Sequence, residues 1–410
     1  MAVTLKEILE ARDTLAGVIN PTPILPDRKL TKDLGADVYL KAECLQRGGS
    51  FKIRGAYNKI VGLSDEEKQT GVVAASAGNH AQGVALAATL HDISSTIVLP
   101  EYAPLTKVNA TKNFGGNVVL YGGSFDEASA HARELRDEHG YTFVHAFDDE
   151  RIIAGQGTIG VEIAEGLPEV DKVIVPIGGG GVISGIATAV KALRPKTRVI
   201  GVEAENIAVI NESLKAGEPV EVPFASTIAD GIAIKKPGGI PLEIIRETVD
   251  EVVEVTEEEI AAGIFHCVQD SHLVVEGAGA AGVAAVLSGK VRVSKGETIC
   301  AVLCGGNIDA NLLARILEHV LVRQGRYIIL QVLIVDRPGY LAALIDKVAE
   351  KGGNVIEVFH QRSMWFAPLG MVGVELLLEV RDEDHGQKLV SYLTDKGYQV
   401  KREGEGDWSK

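Results

Sequence analysis

Apolar and polar positions alternate in two different ways along this chain. Up to Arg323, short continuous apolar runs end in glycine-rich turns and lead into helix-like segments. VVAAS precedes AGNHAQGVALAATL, and STIVLP precedes a helix around PLTKVNATKNF. KVIVPI precedes GGGGVISGIATAVKAL, and TICAVL precedes CGGNIDANLLARILEHVLV. Uninterrupted apolar strands feeding helices predict an α/β fold whose parallel sheets are covered on both faces. Ligands in such folds sit at the carboxyl ends of strands, where these turns lie. The opening MAVTLKEILEARDTL reads as an amphipathic helix.

After Arg323 the pattern changes. QGR reads as a hinge, and YIILQVLIVD is followed by a helix, PGYLAALIDKVAEKGG. Two strands, NVIEVFHQRSM and MVGVELLLEV, come next. A second helix, EDHGQKLVSYLTDKG, leads to a final strand, YQVKRE. That order is βαββαβ, a ferredoxin-like layer of helices on one sheet. The expected division is residues 1–323, with a small lobe over about 48–150 inserted in a larger one, and residues 326–403. The tail GEGDWSK is expected to fray.

Composition narrows the function classes. A chain of 410 residues holds two or three domains and a large core. No apolar run is long enough to cross a bilayer. The N-terminus lacks the basic start, apolar middle and cleavage site of a signal peptide, which predicts a cytoplasmic protein. The net charge of -15 argues against nucleic acid and anionic membranes as partners. Cys44, Cys267, Cys300 and Cys304 show no CxxC spacing, so neither a metal site nor a disulfide framework is expected.

Candidate chemistry starts at the glycines. Gly178, Gly179, Gly180 and Gly181 stand between a strand and a helix. Bare amides there, at the positive end of a helix, make an anion cradle; a sharp turn that binds nothing is the alternative. No GKS or GKT follows, so this is not a Walker loop. GAGAAG, Gly277 to Gly282, matches GxGxxG, but Glu297 precedes the next strand instead of ending it. GAGAAG is therefore read as close helix packing, with a dinucleotide site, and hence an NAD-dependent dehydrogenase, as the alternative. In GGSFKIRGAY, Lys52 lies between Phe51 and small residues, two positions before Arg54. One phosphate on the glycine loop and a lysine so placed suggest pyridoxal 5'-phosphate. Its imine with Lys52 needs a free amine, favoured by burial and by positive charge such as that of Arg54. A surface lysine in a helical turn is the bland reading.

GSFKIRGA, SAGNH, GGGGVISG and CGGNID, in this order, resemble the threonine/serine dehydratase family over about residues 5 to 320. The resemblance implies the tryptophan-synthase-β-like fold, fold type II of pyridoxal-phosphate enzymes. It implies that Lys52 holds the cofactor and later acts as base at the substrate Cα. Phe51 would stack on one face of the pyridine ring, and Gly231 of TIADG would cover the other. Gly178 to Gly181, with Val182, would take the phosphate. Asn79 would bond the cofactor 3'-oxygen, and Glu276 would approach the cofactor. Ser76, Ala77, Gly78, Asn79 and His80 would bind the substrate carboxylate. For Ser76 and Asn79 a helix cap is the alternative, and for His80 a satisfied core histidine.

Cys304 would face the pyridine nitrogen. A thiol cannot hold that nitrogen protonated as a carboxylate can, which suits β-elimination better than transamination. The implied reaction is dehydration and deamination of L-threonine, and of L-serine, to 2-oxobutanoate or pyruvate plus ammonia. The cofactor phosphate would assist departure of the hydroxyl. A serine racemase of the same family is the competing reading; such racemases carry serine where this chain has Ala77. Their cation site is matched by Glu203, but the later acidic position is Val209, so no tight cation is expected. The terminal unit, with DRPGYL at its first turn, resembles an ACT regulatory domain. That resemblance implies a homodimer or homotetramer and an amino-acid effector, with Asp336, Gly339 and Asn354 as candidate effector ligands.

Overall fold

The computed structural model describes residues 2–361 and 367–402. The described chain forms two compact units, Met1–Asp309 and Ala310–Lys410. The helix Ala310–Arg323, read with the first part from sequence, groups with the second.

The first unit holds two sheets. The larger has six strands in the order Ile24–Pro26, Asp37–Lys41, Thr298–Val302, Lys172–Pro176, Arg198–Ala204, Glu251–Val255. All its pairings are parallel except that of the first two strands. The smaller has four parallel strands in the order Asn117–Leu120, Ser95–Leu99, Val72–Ala75, Thr142–Phe143. Val72–Ala75, Ser95–Leu99 and Lys172–Pro176 are buried along their whole length. This is why their sequences are mostly apolar: helices cover both faces, and the polar exceptions Ser95, Thr96 and Lys172 stand at the strand starts. All four strand-to-helix junctions read from the sequence are present, and three turns lead into helices at Asn79, Leu105 and Gly181. The segment before Gly277 is irregular, not a strand. The helix Gly277–Leu287 presses its glycines onto backbone: a Cβ on Gly279 would come 2.4 Å from the Gly305 carbonyl oxygen. GAGAAG is therefore a packing feature, without the strand a dinucleotide fingerprint requires.

The second unit is an antiparallel sheet in the order Asn354–Gln361, Met371–Glu379, Tyr327–Val335, Gln399–Arg402. Along Tyr327–Val335 every second residue is buried: Ile328, Leu330, Val332 and Ile334. They pack with Leu344 and Val348 of the helix Tyr340–Glu350 and Leu389 and Leu393 of the helix Glu383–Asp395. Only one face is covered, which accounts for the period of two. The end of the strand expected over NVIEVFHQRSM, residues 362–364, lies outside the described residues, as do Glu403 and the tail. Among the described residues no helix is long and apolar enough to cross a membrane.

Candidate active site

Four turns of the first unit converge. Lys52 opens the helix Lys52–Val61, with Phe51 as its N-cap. The turn before it, Gly48–Gly49, has positive φ at both residues. Ser50 bridges to Gly305, and the Phe51 N–H donates to the Cys304 carbonyl at 3.2 Å. The GGSFK and CGGN motifs are thus one stitched piece of backbone. Glu276 joins them: its N–H donates to the Gly305 carbonyl at 3.1 Å. A Cβ on Gly305 would lie 2.2 Å from Glu276 Oε1 and 3.0 Å from Asn79 Nδ2, so only glycine lets the SAGNH loop meet this junction.

The amine of Lys52 donates to the Ala146 carbonyl at 3.2 Å and sits 5.0 Å from the centroid of the Phe51 ring. No ion pair engages it among the described residues. Removal from water pulls its pKa down to about 8, against the opposing pull of Cys304 and Glu276. Arg54 plays no part in this, contrary to the expectation from sequence. Its guanidinium is fully buried and committed to Glu43, Glu162, Thr22 and Thr158. Two carboxylates neutralise it and hold its own pKa above the usual range once burial is overcome.

Asn79 is the first residue of the helix Asn79–Thr89, with Gly78 as N-cap. Its side chain does not cap the helix; Nδ2 donates to Glu276 Oε1 at 2.6 Å. Ser76 Oγ accepts from the Gly78 N–H at 3.1 Å. His80 is buried and its Nε2 lies 2.9 Å from the Val144 carbonyl; burial drives its pKa down to about 3, so the ring is neutral and donates there. Glu276 is buried, and loss of water, then the charge of Asp230, pushes its carboxyl up to about 7. Burial likewise pushes the Cys304 thiol up, so it stays protonated. Gly231 lies in the turn Asp230–Ile232, where a Cβ would approach Glu276 Oε1 to 3.5 Å.

Within the glycine run Gly180, with a φ of 94°, caps the helix Gly181–Leu193. Val182 is buried in its first turn. A Cβ on Gly179 would fall 2.4 Å from the Phe147 ring, and one on Gly181 2.9 Å from Phe147 Cα. Side chains are excluded from behind, leaving bare amides at a helix N-terminus. A caged anion cradle and a buried lysine amine of lowered pKa with no carboxylate partner fit pyridoxal phosphate.

A segment that the sequence reading passed over holds these parts together. Val144 to Asp148 follows the short strand Thr142–Phe143. Val144 takes His80, Ala146 takes Lys52, Phe147 backs the glycine loop, and Asp148 accepts from the Ile240 N–H at 3.0 Å. Its one legible signal is its position at the carboxyl end of a sheet strand. Asn307, inside CGGNID but given no role, donates from Nδ2 to Asn79 Oδ1 at 2.8 Å.

The family profile described as pyridoxal-phosphate dependent enzyme matches residues 15–305. The chain belongs to this family. It is 49% identical to the L-threonine ammonia-lyase of Thermotoga maritima, over 97% of this chain and 99% of that one. The processed form of threonine deaminase isoform 2 from Solanum lycopersicum superposes with a TM-score of 0.73 at 39% identity, covering 77% of this chain and 86% of that one. Maize serine racemase superposes at 0.74 with 35% identity, covering 79% and 99%. Family membership makes pyridoxal phosphate the cofactor of this chain.

Two other places singled out in the sequence are Glu203 and the candidate effector ligands. Glu203 is buried and caps the helix Val209–Ala216, accepting from Ile210 N–H at 2.8 Å and Asn211 N–H at 3.0 Å. Both its oxygens are committed to backbone. In the second unit, Asp336 and Gly339 line a cleft of about 320 Å³ with Arg337, Pro338 and His360. Asn354 is not in its lining; its amide donates to Glu379 Oε2 at 3.1 Å.

Proposed function

We propose that this chain is a threonine ammonia-lyase, converting L-threonine to 2-oxobutanoate and ammonia, and L-serine to pyruvate by the same route. The observation that carries the reading is Lys52: a lysine amine kept from water, given a carbonyl and no carboxylate, at the meeting of the four motif turns. Near-full-length identity to a threonine ammonia-lyase supports the same reading.

Pyridoxal phosphate, when bound, supplies the electron withdrawal that makes the substrate Cα–H acidic. Lys52 would hold it covalently, the amides of Gly178 to Gly181 its phosphate, and Phe51 and Gly231 its two faces. The free amides of Ala77, Asn79 and His80 orient the substrate carboxylate at the helix N-terminus, while the Ser76 and Gly78 N–H groups are taken by the Val98 carbonyl and Ser76 Oγ. Lys52, uncharged above about pH 8, accepts the Cα proton. Cys304, neutral, is a poor proton donor to a ring nitrogen and keeps the chemistry short of a long-lived carbanion. Loss of the β-hydroxyl as water leaves an enamine, which takes up water to give the keto acid and ammonia.

A racemase reading is favoured by the fold likeness to maize serine racemase. Ala77 opposes it, since a methyl group cannot move a proton to the opposite face of Cα. Keto-acid release from L-threonine and L-serine, assayed beside D-serine formation, tests the two together. Keto acid without D-serine is the expected result; D-serine as the main product would overturn the assignment.

The second unit we read as an ACT-like regulatory domain in a cytoplasmic homodimer or homotetramer. The Asp336–Gly339 cleft is the candidate seat for an amino-acid effector, with Asn354 set aside from it. Effector control requires different affinities for two states of the enzyme. Added branched-chain amino acids should shift the threonine response of the full chain, and deleting residues after Arg326 should abolish that shift. A shift that survives the deletion contradicts this reading.

A further inference from the structure

We infer that Asn307 is a positioning residue that sets which way the Asn79 amide faces the cofactor, an inference that rests on reading Asn79 as a cofactor ligand. An asparagine side chain presents a donor on one side and an acceptor on the other, and turning it over exchanges them. A ligand that must donate to a cofactor oxygen needs that choice made beforehand. Asn79 Nδ2 donates to Glu276 Oε1 at 2.6 Å, and its Oδ1 accepts from Asn307 Nδ2 at 2.8 Å. With one N–H on Glu276, the second N–H of Asn79 remains to donate into the site.

The orientation of Asn307 is itself over-determined. Its Nδ2 faces three acceptors: the Gly48 carbonyl at 2.8 Å, Asn79 Oδ1 at 2.8 Å and Gln82 Oε1 at 3.3 Å. Turned over, it would set an oxygen against all three. Its seat is also shaped for it. A Cβ on Gly49 would come 2.3 Å from Asn307 Oδ1, so the positive-φ turn that leads to Lys52 makes room for this amide. The order of command runs from the Gly48 carbonyl and Gln82, through Asn307, to Asn79 and Glu276. Asn307 need not touch substrate or cofactor; it acts through Asn79. Asn307→Asp keeps the shape and removes the donor. The favourable response is for Asn79 to turn over, which puts its Oδ1 against the Glu276 carboxyl and withdraws its free N–H from the cofactor.

The test is a double-mutant cycle read by cofactor binding and colour. Pyridoxal phosphate is titrated into cofactor-free parent, Asn307→Asp, Asn79→Ala and the double variant. The dissociation constant, the visible absorption maximum and its pH dependence are recorded. Each single variant should weaken binding about tenfold and move the absorption in the same sense. The Asn307 change should have no further effect once Asn79 is alanine, and the unfolding midpoint of cofactor-free Asn307→Asp should stay near that of the parent. Should Asn307→Asp not fold, Asn307→Ser replaces it with the same expected cycle. If Asn79→Ala alters binding and colour while the Asn307 variants match the parent, the positioning role is wrong. Additive effects in the double variant also overturn it. If Asn79→Ala itself changes neither reading, it is the ligand assignment of Asn79 that fails.

Discussion

Two lysines, Lys41 and Lys52, are held in the same unit in opposite ways. Lys41 is almost fully buried at the end of the strand Asp37–Lys41. Its amine donates to the Thr22 carbonyl at 2.6 Å and pairs with Glu162, which also pairs with Arg54. Arg54 completes the set with Glu43 at 2.8 Å. Two cations and two carboxylates share one polar pocket, and each charge is answered. Lys52 has one carbonyl and no anion. The first arrangement keeps charge and spends it on structure; the second lets the amine lose its proton near pH 8 and act as a nucleophile. Burial alone does not identify a reactive lysine; burial without a carboxylate does.

The strongest way to break the comparison is to remove each amine. Lys52→Ala should lower turnover of L-threonine by roughly a thousandfold or more, with the cofactor-free fold intact by circular dichroism. Next in size is Arg54→Met, which leaves fully buried Glu43 with Lys41, 3.9 Å away, as its one remaining cation among the described residues. It should cost about 3–5 kcal/mol in urea unfolding. Should Arg54→Met instead move the pKa of Lys52 and spare stability, the separation between the two clusters fails.

The Glu276 carboxyl sharpens the same contrast through pH. In the folded protein it keeps its proton to about pH 7, whereas the unfolded chain releases it near 4.5. Between those values the folded state binds more protons, so this group's contribution to stability falls as pH rises, then levels off. Glu276→Gln removes the titration. In the cofactor-free protein it should gain about 1–3 kcal/mol on the parent between about pH 5 and about pH 8. Unfolding curves at both pH values check this, and a pH-independent difference would contradict it. The smallest effect is expected for Lys41→Met. Glu162 is partly exposed and keeps Arg54 as partner, so the loss should be about 1–2 kcal/mol with turnover near that of the parent.

The parallel and antiparallel layers were legible because burial on two faces and on one face write different patterns, as Lys172–Pro176 and Tyr327–Val335 show. The site was legible where glycine was required. Gly179, Gly181 and Gly305 mark approaches too close for a Cβ, and they flag the cradle and the junction beside Glu276. Pairing was not legible. Arg54 stands two positions from Lys52 in sequence, but a helix turns its side chain to Glu43 and Glu162. Val144 to Asp148 acts mainly through carbonyls and one ring, and a carbonyl has no letter in a sequence. Asn354, a candidate through the ACT-like resemblance, starts the strand whose other end, at His360, lines the cleft, and its amide donates to Glu379 across the sheet.

The most direct test traps the amine itself. The holoenzyme is reduced with borohydride, digested, and the pyridoxyl group located by mass spectrometry. The label should sit on Lys52 alone, with Lys41 unmodified. A label on Lys41, or a protein that takes none at any pH, would contradict the account.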